Sequence, residues 1–203
     1  MMRVAVIGAG TVGRALADGL AAAGHAVTLG TRDPKREDVA ALATRYPDAV
    51  RIADYRAALT GAELVFLAIP GRLALETVTT IGADAFAVAT VVDLTNPIVL
   101  TDDGAHSAFA DDDSAAEAIQ RALPGTRVVK ALNQIEAAHM LAPEPDGGPV
   151  RIAGDNDEGK RMVAGLLESF GWTVRDLGPL KRARPLERAA VEWAAHQRLA
   201  GTG

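Results

Sequence analysis

The stretch GAGTVG at residues 8–13 most constrains what this chain can fold into. It follows a short apolar run, residues 3–7, which is typical of a buried strand, and it precedes apolar residues at helical spacing. In such a turn Gly8 permits the tight bend, Gly10 lets a phosphate group approach the backbone, and Gly13 lets the helix pack closely on the strand. The stretch therefore predicts a dinucleotide-binding turn, with a glycine-rich turn that binds nothing as the alternative.

Strand-like and helix-like segments alternate along the chain, and aromatic residues are scarce. This pattern predicts an α/β fold, a Rossmann-type doubly wound parallel sheet with right-handed crossovers. A proline- and glycine-rich break separates a nucleotide-binding domain at 1–142 from a small α/β C-terminal segment at 149–203, which is expected to complete the sheet and the cleft. Strands are predicted at residues 3–7, 26–30, 50–52, 64–69, 89–94, 127–132, 150–153 and 173–176.

Two helix starts and one loop are predicted from local patterns. Asp33 followed by Pro34 is typical of an N-cap and a first helical residue. Ser114 and Glu117 have the spacing of a capping box. The aspartate-rich stretch 102–113 predicts a long polar loop before that second helix.

Composition excludes several classes of function. The 203 residues include no cysteine, which excludes disulfides, thiolate metal sites and cysteine nucleophiles. The net charge of −5 gives no general attraction to nucleic acid or to an anionic membrane. The four histidines stand singly, so no metal site is predicted. No apolar run approaches the roughly 20 residues of a membrane span, and the first run is too short for a signal peptide. A soluble, cytoplasmic protein is expected.

The end of the second strand indicates which dinucleotide binds. An acidic residue there would bond the ribose hydroxyls of NAD, but the chain has Gly30 followed by Thr31 and Arg32. A hydroxyl and a guanidinium are good partners for a phosphate, and Lys35 adds charge one turn later. The pattern favours NADP over NAD, the alternative being a solvated charged face.

No general acid or base is evident in the sequence. A short-chain dehydrogenase needs a lysine four residues after its tyrosine, whereas Tyr46 and Tyr55 are followed there by Val50 and Leu59. Reduction of a ketone needs a proton donor, but hydride exchange between two cofactors can proceed by positioning alone. No catalytic side chain is therefore predicted.

Several segments together resemble one family, the NADPH-dependent F420 reductases, also called F420H2:NADP oxidoreductases. The resemblance covers nearly the whole chain and implies NADP(H) and coenzyme F420 as the two cofactors, with NADP lying across the C-terminal edges of the strands. The matching segments are residues 6–13, 30–33, 93–97, 123–133, 154–157, 176–180 and 184–187.

The resemblance also implies roles for individual residues around both cofactors. The deazaflavin would stack on the nicotinamide in a cleft that the C-terminal part closes. Thr11 and Val12 would line the pyrophosphate turn, and Thr31 and Arg32 would hold the 2′-phosphate. Toward the rings, Ile69 and Pro70 would support the nicotinamide side, and Asn133 and Ile135 would border the deazaflavin.

The leading functional hypothesis is hydride transfer between NADP(H) and a deazaflavin or a related flavin such as FMN or FAD. The alternatives are an NADPH-dependent flavin or ferric reductase and a non-catalytic NADP-sensing module. The last helix carries apolar residues, among them Val191 and Trp193, that could cover the sheet or form the seam of a homodimer.

Overall fold

The computed structural model describes residues 1–86 and 89–200. The strands are β1 (Arg3–Ile7), β2 (Ala26–Gly30), β3 (Val50–Ala53), β4 (Leu64–Leu67), β5 (Thr90–Asp93), β6 (Ile98–Thr101), β7 (Gly104–Ser107), β8 (Arg127–Lys130), β9 (Val150–Gly154) and β10 (Val174–Asp176). The helices are α1 (Thr11–Ala22), α2 (Glu37–Arg45), α3 (Tyr55–Ala58), α4 (Gly71–Ile81), α5 (Ala83–Phe86), α6 (Ala115–Ala122), α7 (Asp157–Ser169) and α8 (Ala183–Ala200). Short 3₁₀ turns lie at Ala137–His139 and Leu180–Arg182.

Eight strands form one sheet in the order β10-β9-β8-β5-β4-β1-β2-β3. Neighbouring strands are parallel except β8 and β9, so β9 and β10 run opposite to the rest. The chain fills the β2–β3 side first and then crosses to β4, which makes the β1–β4 junction the place where ligands bind in sheets of this kind. The predicted Rossmann-type α/β fold is confirmed, with the reversal at β9 as an addition.

The sheet continues through the predicted domain boundary, because β9 follows the break at 143–149 and pairs with β8. The division at 142 and 149 stays a prediction, and residues 201–203 of the second segment lie outside the described part of the chain.

Both faces of the sheet are covered, as the alternation of side chains along β1 shows. Val4 and Val6 belong to a core with Leu16 of α1, which α2 and α7 also join. Ala5 and Ile7 belong to a second core on the other face, built with helices α3 to α6 and the start of α8. This double burial explains why β1 reads as a continuous apolar run.

The prediction of a polar loop at 102–113 was wrong for its first part, because residues 104–107 form a strand. Strands β6 and β7 form an antiparallel hairpin in which Thr101 faces Gly104, and this hairpin packs against α8. Asp102 and Asp103 provide the two-residue turn, and Gly104 at the start of β7 has a φ of 149°, which glycine adopts easily. The apolar run before it, IVL at residues 98–100, was the signal for a strand.

One predicted helix start was wrong and the other is confirmed. Helix α2 begins at Glu37, because the Asp33 carboxylate accepts the Lys35 amide N–H at 3.1 Å and closes a local turn instead of capping a helix. At α6, Ser114 Oγ accepts the Glu117 amide N–H at 3.2 Å, as the capping-box pattern predicts. In residues 1–86 and 89–200, no helix is long and apolar enough to cross a membrane.

Candidate cofactor-binding site

The glycine turn between β1 and α1 has the geometry that its spacing predicts. Gly8 has a φ of 110°, and a Cβ there would lie 2.3 Å from the Ala68 carbonyl oxygen. A Cβ at Gly13 would lie 1.8 Å from the Gly8 carbonyl oxygen, so α1 can approach the turn this closely only with glycine. Gly10, the N-cap of α1, instead faces open space, with nothing within 4 Å of a Cβ. The turn thus leaves backbone accessible at the positive end of a helix.

We expect Gly13→Ala to lower the free energy of unfolding by about 1–3 kcal/mol, the usual cost of overpacking. The added methyl group must push the turn away from α1, so the NADPH dissociation constant should rise as well. Urea unfolding and NADPH titration measure the two effects. Gly165→Ala is the matched control, because Gly165 lies inside α7 with nothing within 4 Å of a Cβ. The control should be neutral or stabilising, and equal effects of the two changes would contradict this explanation.

A second part of the site lies at the carboxyl end of β2. Thr31 is 5% exposed, and its hydroxyl oxygen accepts the Asp33 amide N–H at 3.1 Å. Arg32 and Lys35 are exposed, and neither has an ion pair among the described residues. The Arg32 side chain lines a recess of about 360 Å³, together with Thr31, Pro34, Asp54, Tyr55, Arg56, Thr80 and Ile81. This recess offers an accessible guanidinium to an anionic group.

Between these two parts lies an ion-pair cluster that sequence reasoning missed. Arg14 donates to the Ala9 carbonyl oxygen of the glycine turn at 2.8 Å and pairs with Asp38 at 2.9 Å. Asp38 also pairs with Arg36, whose hydrogen-bonding guanidinium holds the pKa of Asp38 below its usual value. Arg36 is therefore partly neutralised, which leaves Arg32 and Lys35 as the cations free of carboxylates in this part of the described chain.

A cleft with a volume of about 500 Å³ lies beside the glycine turn. It opens at the carboxyl ends of β5 and β8 and reaches from the first turn of α1 to α8. Its lining is mostly apolar and amide-bearing, and Glu136 is the one ionisable side chain among the described lining residues. The lining consists of Val12, Asn96, Ile98, Asn133, Gln134, Ile135, Glu136, Ala137, Ala189, Ala190 and Trp193.

Asn133 joins three elements around this cleft. Its Nδ2 donates to Asn96 Oδ1 at 2.8 Å and to the Leu186 carbonyl oxygen at 3.1 Å, while Asn96 Nδ2 donates to the Asn133 carbonyl oxygen at 2.7 Å. The preceding Leu132 has a φ of 60°, a left-handed conformation that costs a non-glycine residue energy. The Asn133 amide group therefore holds the β5 and β8 loops to α8 as well as lining the cleft.

The structure thus brings two of the predicted ring-side residues, Asn133 and Ile135, into one cleft, together with Val12, which was predicted to line the pyrophosphate turn. Ile69 and Pro70 lie elsewhere, at the glycine turn. A Cβ at Gly8 would lie 2.7 Å from Ile69 Cγ2, and Pro70 is the exposed N-cap of α4. Thr11 is exposed as the first residue of α1.

A buried charge cluster underlies the cleft, and sequence reasoning missed it. Lys130 Nζ, fully buried, lies 2.9 Å from Asp93 Oδ2 and 2.7 Å from Glu187 Oε1, and it donates to the Thr95 carbonyl oxygen. Burial lowers the pKa of Lys130, but the two carboxylates outweigh it and hold that pKa above its usual value. The sequence contained one signal for this cluster, a lysine within the otherwise apolar run at 128–132, because a buried lysine needs carboxylate partners.

Glu187 connects this cluster to two helices. It belongs to α8, and its carboxylate oxygens accept the amide N–H groups of Ala115 and Ala116, at the start of α6, at 2.9 and 3.2 Å. Burial raises the pKa of Glu187, against the opposing effect of Lys130. The cluster fixes α8, and with it one wall of the cleft. Among the described residues, no group of three or more histidines and carboxylates is placed to hold a metal ion.

The fold and the glycine turn define a class, the Rossmann-type dinucleotide-dependent oxidoreductases. Residues 3–97 match the family model described as NADP oxidoreductase, coenzyme F420-dependent. The F420-dependent NADP reductase of Methanothermobacter thermautotrophicus is 32% identical over 200 residues, which span 93% of this chain and 86% of that protein. The chain belongs to this family of NADP-dependent oxidoreductases.

Two further relatives are similar over most of the chain. A candidate F420-dependent NADP-reductase from Arthrobacter sp. FB24 has a crystal structure that superposes with a TM-score of 0.88 at 35% identity, over 100% of this chain and 95% of that one. The metalloreductase STEAP3 of Rattus norvegicus is 31% identical over 186 residues. That match covers 91% of this chain but only 36% of STEAP3.

Proposed function

We propose that this protein transfers a hydride between NADP(H) and coenzyme F420. The observation that carries the proposal is that α1 serves both halves of the site: its N-cap Gly10 faces open space, while Val12 of its first turn lines the 500 Å³ cleft. A dinucleotide held at the glycine turn would therefore have a second cavity directly beside it. The names of the relatives from Methanothermobacter and Arthrobacter, F420-dependent NADP reductases, support the same pair of cofactors.

The residues at the turn suit a dinucleotide with a 2′-phosphate. The pyrophosphate would lie at Gly10, Thr11 and Val12, where the first amide N–H groups of α1 are accessible. Thr31 and Arg32 would hold the 2′-phosphate, because a guanidinium can bind a phosphate with two parallel hydrogen bonds. Lys35 would add positive charge nearby.

Within the cleft, the chain would supply positioning. When bound, the nicotinamide and the deazaflavin supply the hydride chemistry themselves. Val12 and Ile135 would exclude water from the rings, and the Asn96–Asn133 pair would keep the β5 and β8 loops at a fixed separation. Ile69 and Pro70, next to the glycine turn, would support the nicotinamide side.

We expect the protein to bleach the visible absorbance of oxidised F420 when NADPH is added, and to do so much more slowly with NADH. The same assay with FMN, FAD and a ferric chelate tests the other acceptors. The name metalloreductase carried by STEAP3 supports a metal ion as the acceptor of a second candidate function, and the ferric chelate is its probe.

The outcomes separate the candidates. Reduction of only a flavin or ferric iron would contradict the F420 proposal and favour the second candidate. Tight NADPH binding without reduction of any acceptor would contradict hydride transfer altogether and favour an NADP-sensing role.

A further inference from the structure

Trp193 is a large apolar side chain that the fold leaves uncovered. Its exposed fraction is 61%, and it lines the 500 Å³ cleft from α8. The other tryptophan, Trp172, is 5% exposed and donates its indole N–H to the Met140 carbonyl oxygen at 2.8 Å. The indole of Trp193 therefore borders the cleft without being part of either core.

The residues one turn before Trp193 make room beside its ring. Ala190 and Ala189 lie three and four positions earlier on the same face of α8, and both line the cleft. Small side chains next to a large aromatic one leave a slot, and Val12 and Ile135 provide apolar surface from other elements. A slot of this composition suits a flat ring system, because aromatic faces attract one another in offset stacks.

The helix that carries Trp193 is fixed in place. Leu186 accepts a hydrogen bond from Asn133, and Glu187 bonds the buried Lys130. The indole is therefore presented from a rigid support, which lowers the entropy cost of binding a ligand against it.

The surroundings of Trp193 favour a small ligand over a second copy of the chain. Glu192 and His196, its neighbours on the outer surface of α8, are exposed and polar. A stable protein interface needs a continuous apolar centre, which these side chains interrupt.

We propose that Trp193 stacks on the ring of the second redox cofactor and so determines affinity for it. This inference rests on the proposed function, since it takes the ring to be the deazaflavin of F420. Its role is distinct from that of the glycine turn and Arg32, which would contact only the nucleotide. A loss of Trp193 should therefore weaken binding of F420 and leave NADPH unaffected.

The test compares Trp193→Ala, Trp193→Leu and Trp193→Phe in the full chain. We expect Trp193→Ala to raise the KM for F420 about 10-fold or more, the usual effect of losing one stacking partner. The KM of Trp193→Phe for F420 should stay within about threefold of the wild-type value, because phenylalanine keeps an aromatic face. The KM of Trp193→Leu should be close to that of Trp193→Ala. The KM for NADPH should change less than twofold in all three. Leu100→Ala is the control, since Leu100 is also 61% exposed but does not line the cleft.

Calorimetric titration of NADP⁺-saturated protein with oxidised F420 gives the same comparison without turnover. If the wild type binds F420 but reduces nothing, the proposed function fails while the stacking inference is still judged by the dissociation constants. An unchanged F420 dissociation constant in Trp193→Ala overturns the inference, and so does a wild type that does not bind F420. An F420 dissociation constant for Trp193→Leu that is as low as that for Trp193→Phe also overturns the inference. A fourth result would also overturn it: a wild type that is a dimer in analytical ultracentrifugation, a Trp193→Ala variant that is a monomer, and equal rises in the KM values for F420 and NADPH.

Discussion

Replacing Lys130 with methionine is expected to lower the free energy of unfolding by about 3–5 kcal/mol, the usual cost of removing one partner from a buried ion pair. Methionine fills a similar volume, so the loss would come from charge and not from a cavity. Asp93 and Glu187 would be left close together without the ammonium group that lies 2.9 and 2.7 Å from them. Urea unfolding of the wild type and the variant, followed by circular dichroism, measures the difference.

Lys160→Met provides the control for this prediction. Lys160 also pairs with two carboxylates, Asp176 at 2.9 Å and Asp157 at 3.2 Å, but these side chains are 48% and 78% exposed, whereas the partners of Lys130 are buried. Its removal should cost at most about 1 kcal/mol, as for surface pairs. Adding Glu187→Gln to Lys130→Met should recover part of the stability, because one unpaired charge disappears. A loss below about 1 kcal/mol in Lys130→Met, or a double variant less stable than the single one, would contradict the assignment.

Predictions that depend on a few neighbouring residues could be made from the sequence. The turn at 8–13 is an example, since a positive φ at Gly8 and close packing at Gly13 are requirements on the backbone that only glycine meets. The apolar runs also located the central parallel strands β1, β4, β5 and β8, because these strands are buried on both faces. The helix start at Ser114 follows from a local hydrogen bond for the same reason.

Features that depend on distant residues could not be predicted in this way. Glu187 meets Lys130 across 57 positions of sequence, and no spacing rule links an acid on a late helix to a lysine in a strand. The reversal of β9 depends on how the chain returns to the sheet and not on the composition of the strand. The start of α2 was mistaken because Asp33 forms hydrogen bonds equally well in a turn and in an N-cap.

The affinity for NADPH should depend on Arg32 more than on any other exposed side chain at the end of β2. We expect Arg32→Glu to raise the NADPH dissociation constant about 100-fold, which corresponds to about 3 kcal/mol. If Arg32 binds the 2′-phosphate as proposed, the change would remove charge-assisted hydrogen bonds worth about 1.5–3 kcal/mol and add a carboxylate that repels the phosphate. The NADH dissociation constant should change less than about threefold, because NADH carries hydroxyls at this position, which a carboxylate can bond.

Arg161→Glu controls for the change in net charge. Arg161 is exposed on α7 and lines a different recess, with Lys160 and Asp176, so its charge reversal should leave both dissociation constants within about twofold of the wild type. Titration of the intrinsic NADPH and NADH fluorescence at fixed ionic strength measures the pair of constants for the wild type and for each of the two variants. Equal losses for the two nucleotides in Arg32→Glu would place Arg32 outside the 2′-phosphate site. A large loss of NADPH binding in Arg161→Glu would instead attribute the effect to the overall charge of the protein.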